Sequence, residues 1–73
     1  MDSARLRDHL KKAESDLIAA VARADRQRAL VERLKANNND ARYEIDDLRT
    51  QQNLVKTLER HRDMLREQLN GLL

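Results

Sequence analysis

Leu10, Leu17, Ala24, Val31, Asn38 and Ile45 recur every seven residues, and Leu6, Ala13, Ala20, Gln27, Leu34, Ala41 and Leu48 form a second seven-residue series. The two interleave in steps of three and four, the spacing of the a and d positions of a heptad. At 3.6 residues per turn such positions fall on one narrow stripe of a helix. Held over more than three heptads, the stripe predicts pairing with another helix. A helix covering a globular core would be shorter and would carry a wider apolar face. Composition points the same way. Tyr43 is the single aromatic and 38% of residues are charged, whereas small globular cores draw much of their burial from aromatic rings. Disorder is the competing reading of so polar a chain, and the regular apolar spacing opposes it.

Punctuation along the chain is sparse. There is no Pro, and Gly71 is the one Gly. Asp2 and Ser3 are suited to cap a helix start, and Gly71 to mark its end. The weak point is Asn37-Asn38-Asn39-Asp40, whose side chains compete for the backbone. A helical hairpin turning there is conceivable, but a tight turn between helices usually carries Gly or Pro, and the apolar register runs straight through. The expected fold is therefore all-α: residues 1–73 as a single continuous helix, about 110 Å long, forming a two-stranded coiled coil as one segment of a larger protein. The first heptad frame spans 6–48. After it the leucines change phase, and Val55, Arg62, Leu69 and Leu58, Leu65, Leu72 set a shifted frame over 54–72, with Leu54 and His61 on its flank. The break falls in 50–53 and reads as a stammer, a local overwinding of the supercoil.

The residues flanking the stripe argue for orientation. In the first frame the e positions are Arg7, Glu14, Val21, Arg28, Lys35, Arg42 and Arg49. An antiparallel pair sets e against e, basic against basic. A parallel pair matches Glu44 with Arg49 and His9 with Glu14, although Arg23 meets Arg28. Asn38 at a favours a partner Asn across a parallel two-stranded interface. The sequence thus predicts a parallel homodimer. Its core would be Leu6, Leu10, Ala13, Leu17, Ala20, Ala24, Gln27, Val31, Leu34, Asn38, Ala41, Ile45, Leu48, Val55, Leu58, Leu65, Leu69 and Leu72. The alanines bring the helices close, and each forgoes roughly 1.5–3 kcal/mol of burial relative to Leu.

Reactive chemistry finds no foothold. The chain lacks Cys, and its longest near-apolar run, residues 17–22, is far short of the roughly 20 residues that cross a bilayer. His9 and His61 would lie about 78 Å apart on one helix, neither with a second ligand at metal spacing. No phosphate loop, nucleophile elbow or carboxylate pair is present. The expectation is no catalytic site, no metal and no cofactor. Arg23, Arg26, Arg28, Arg33 and Lys35 form a basic band diluted by Asp25 and Glu32, followed by acidic Asp40, Glu44, Asp46 and Asp47. Alternating charge is the habit of a solvated helix face. The alternative is a binding module whose band contacts an acidic filament such as a microtubule, or nucleic acid. A leucine-zipper factor is disfavoured, because its basic region is polar all round and uninterrupted by acids.

The stretch Leu58-Glu59-Arg60-His61-Arg62-Asp63-Met64-Leu65-Arg66-Glu67-Gln68-Leu69, with the heptads before it, resembles rod segments of long cytoskeletal coiled-coil proteins of centrioles, basal bodies and flagella. A similar Arg-x-Arg-Asp-Met phrase occurs in nuclear-basket filament proteins. The resemblance implies a homodimerising rod that links or spaces domains in a cytoskeletal scaffold. It also implies a cytoplasmic, cytoskeletal location and partners among other coiled-coil proteins, with no membrane.

Overall fold

The chain is helical, but it does not run on as one rod. The computed structural model describes residues 3–72. It contains α1 (Ser3–Ala36) and α2 (Arg42–Gly71), folded back on each other in antiparallel over a length of 54 Å with a cross-section of 14 × 13 Å. The expected single continuous helix is thus corrected to a helical hairpin. Asp2, expected to share the N-terminal capping with Ser3, lies outside the described residues.

The turn explains the correction. Asn38 adopts the left-handed region with φ 58°, which Asn enters more readily than most side-chain-bearing residues because its short amide bonds locally. The Asn39 N–H donates to the Leu34 carbonyl at 2.8 Å and the Asn38 N–H to the Lys35 carbonyl at 3.1 Å. These are the two bonds of a Schellman motif, here closed by Asn where Gly is commoner. Asp40 then starts α2: its Oδ1 accepts from the Arg42 backbone N–H at 3.0 Å. Its carboxylate also holds the Arg42 guanidinium, with Nη2–Oδ2 at 2.8 Å. The Ile45 N–H to Ala41 carbonyl bond at 2.8 Å is the first of the helical ladder. A run of poor helix formers therefore supplies its own turn chemistry without Gly or Pro. At the other end α2 stops at Gly71, as expected, and the Leu72 N–H closes onto the Leu69 carbonyl at 3.1 Å.

The heptad frame is also corrected. In α2 the inward side chains follow a single frame from the turn onward: Ala41, Leu48, Val55, Arg62, Leu69 alternating with Glu44, Gln51, Leu58 and Leu65, all buried or half-buried. The phase change expected at 50–53 belongs instead to the turn. Ala41 and Leu48 fit both frames, and half-buried Ile45 imitates the first, so the first register reads on past the turn to Leu48.

Candidate helix-pairing interface

Among the described residues the buried ones lie on the seam between α1 and α2. They are Leu6, Ala13, Leu17, Ala20, Ala24, Val31, Ala41 and Leu65, all apolar; the first seven belong to the two heptad series and Leu65 to the shifted frame. Leu10, Gln27, Leu34, Ile45, Leu48, Val55, Leu58 and Leu69 are half-buried beside them. Of the residues read as a dimer core, Asn38 and Leu72 are exposed. The helix face expected to meet another chain is therefore occupied within this one. Asn38 is not a buried register-setting residue here, because its backbone conformation places it on the outside of the turn.

The seam is graded along its length. At the free ends of the helices Leu6, Ala13 and Leu65 pack into one cluster, with Leu10 and Leu69 against it. Leu6 is 2% exposed. Toward the turn the seam becomes polar. Gln27 donates its Nε2 hydrogen to the Glu44 backbone carbonyl at 3.0 Å. The Glu44 Oε2 and Gln51 Oε1 atoms are buried with no hydrogen-bond partner among the described residues. A buried acceptor left unpaired costs about 1–3 kcal/mol, so the half nearest the turn is the weaker half. Arg62, at a seam position of the α2 frame, lies with its side chain 25% exposed and its guanidinium turned outward to Asp63 at 2.9 Å. Its stem covers the seam while its charge stays wet.

Within the chain α1 and α2 run antiparallel, whereas the parallel preference concerned two separate chains. The argument against antiparallel chains set the mostly basic e positions, Arg28, Lys35, Arg42 and Arg49 among them, against one another. In the observed α2 frame the flanking residues are Ile45, Gln52, Glu59 and Arg66, and the antiparallel pairing brings Arg66 to Glu14 at 3.1 Å. Arg42 and Arg49 point away, paired with Asp40 and Asp46. The basic-on-basic clash never arises, because the frame change moved those arginines off the edge of the seam.

Folding back also changes what lies beside what. His9 and His61, far apart on a straight helix, line one shallow groove with Lys12, Ala13, Asp16 and Leu58. Among the described residues no group of three or more His, Cys, Asp or Glu side chains is placed to hold a metal ion, and no helix is long and apolar enough to cross a membrane. In the basic band, Arg28 pairs with Asp25 at 3.5 Å, while Arg23, Arg26, Arg33 and Lys35 make no ion pair among the described residues. The hairpin sets the acidic stretch Asp40–Asp47 alongside this band, offsetting its charge. No family model, no curated protein and no solved structure matches this chain.

Proposed function

We propose that this chain is a structural helix-pairing module, an assembly or spacer rod rather than an enzyme, with a second copy of itself as its first partner. The observation that carries the reading is that every buried residue among those described is apolar and lies on one heptad-spaced seam. All the burial the sequence encodes goes into joining one helix to another. The resemblance of 58–69 to cytoskeletal rods supports placing the module in a larger scaffold of the cytoplasm, where it would link or space domains and meet other coiled-coil proteins. Sedimentation equilibrium tests the self-pairing. The mass should rise from one chain toward two between low and high micromolar concentration. A single-chain mass throughout would sink the proposal.

A second reading keeps one observation in its favour. Arg23, Arg26, Arg33 and Lys35 are exposed and unpaired among the described residues, as a surface for an acidic filament would be. Reversing Arg23, Arg26 and Arg28 to Glu should then abolish co-pelleting with microtubules. Pelleting that survives the reversal removes the band from consideration.

A further inference from the structure

As in any antiparallel hairpin, the seam pairs residues that lie about equally far from the turn, and that pairing could equally form between two copies. Gln27 bonds to Glu44, Ala24 shares a groove with Gln52 and Val55, and Ala13 shares one with Leu58 and His61. The midpoint of these pairings falls at about residue 37, inside the turn. An axis through that point relates α1 of one copy to α2 of another. If Asn38 left the left-handed region and residues 37–41, Ala41 with its φ of −120° included, took helical dihedrals, α1 and α2 would join into one helix. A second opened copy laid antiparallel against it would restore every α1–α2 contact between chains instead of within one.

We propose that this chain pairs with a second copy by exchanging helices about the Asn37–Ala41 hinge, so that two continuous helices lie antiparallel across a two-fold axis at the turn. This rests on the self-pairing reading above and specifies its geometry. Three observations carry it. The turn contains neither Gly nor Pro, so its residues enter a helix at a modest propensity cost without any backbone obstacle. The spacing of the stripe continues across it in steps of three and four through Leu34, Asn38, Ala41, Ile45 and Leu48, so a continuous helix would keep these positions on one face. The seam is weakest beside the turn, where Glu44 Oε2 and Gln51 Oε1 lack partners, and strongest at the far ends, where exchange would re-form it unchanged. At the axis Asn38 would meet its own counterpart, and two carboxamides can each donate and accept. Because closed and exchanged forms share their seam, the conformation of the hinge sets the balance between them.

The chain has no Cys, which makes the test clean. Glu14 and Arg66 form an ion pair at 3.1 Å on the edge of the seam. Glu14→Cys with Arg66→Cys would be equilibrated at high concentration, diluted, linked with a short bis-maleimide and run on a denaturing gel, with mass measured in parallel by sedimentation. Exchange predicts chains linked to one another at dimer mass. Asn38→Ala should raise the linked dimer, and Asn38→Gly, which favours the left-handed turn, should lower it, each shifting the dimerisation constant by about tenfold or more. Links within single chains at dimer mass would overturn the exchange while leaving self-pairing intact. Links within single chains at monomer mass would overturn both. Should the double cysteine variant fold poorly, the two Asn38 variants in the native background decide by sedimentation alone, and a dimer insensitive to both refutes the hinge.

Discussion

At the scale of single residues, Asn38 and Asp40 hold the fold's decision to turn. Leu in place of Asn38 would gain packing if the site were a buried heptad position. At φ 58° a side chain that cannot bond locally instead costs about 1–2 kcal/mol. Asn38→Leu should therefore lower the melting temperature of the dilute chain, as followed by circular dichroism. A rise would mean that the residue is buried in solution. Asp40 gives the turn a dependence on pH. The Arg42 guanidinium first, and the Arg42 N–H second, hold its carboxyl below its ordinary value of 3.8. A carboxylate with a lowered folded value stabilises fully above the unfolded value, and that contribution is lost as the pH falls through the folded one. Melting temperature should thus drop on acidification below about pH 4, and Asp40→Asn should flatten that part of the profile. An unchanged slope in Asp40→Asn would show that the turn's carboxylate is not the group responsible.

At the scale of the elements, the inner face of each helix was legible in the sequence and its partner was not. Every buried residue among those described belongs to the heptad series or its shifted frame, because alternating steps of three and four fix a stripe whatever covers it. The same stripe serves a helix of another chain or the next helix of this one, so periodicity alone does not separate them. The signal that does is the phase change. It was visible among the leucines, but Ala41, Ile45 and Leu48 satisfy the earlier frame and displaced it toward 50–53. The turn itself was legible only as a weak point, since three Asn and an Asp do here what Gly and Pro do elsewhere. The inward positions of Glu44 and Gln51 were missed because the first frame put Glu44 on a flank and Gln51 fell inside the break at 50–53. Their presence makes a prediction. Gln51→Leu removes an orphaned buried acceptor and adds apolar volume to the seam, and should stabilise the hairpin by about 1–3 kcal/mol, read as a higher melting temperature. No gain would show that Gln51 finds a partner in water.

At the scale of the whole molecule, shape leaves surface to spare. The chain exposes 5645 Å², whereas a folded monomer of its mass exposes roughly 4,700 Å². The excess is close to the roughly 800 Å² that one partner contributes to an interface of standard size. A rod with a 14 × 13 Å cross-section has no interior beyond its seam, so its outer faces carry the remaining apolar groups. One such strip is specific. Ile18 is 71% exposed and lies one helical turn before Val21, which with Ala24 and Val55 floors a groove rimmed by Asp25, Arg28, Lys56 and Glu59. The rim carries both signs on both helices, so two rods laid side by side can set opposite charges against each other around the apolar floor. Ala24 and Val55 belong to the seam, but exposed Ile18 and Val21 lie on its outer edge whether the helices pair within a chain or between chains. Ile18→Lys with Val21→Lys should therefore leave helicity and two-chain pairing unchanged, while suppressing any species heavier than two chains at high concentration. The measurement is sedimentation velocity over a range of concentration beside the unmodified chain. If the heavier species persist in the double variant, lateral contact runs through another face. If the two-chain species itself disappears, pairing depends on this strip rather than on the seam.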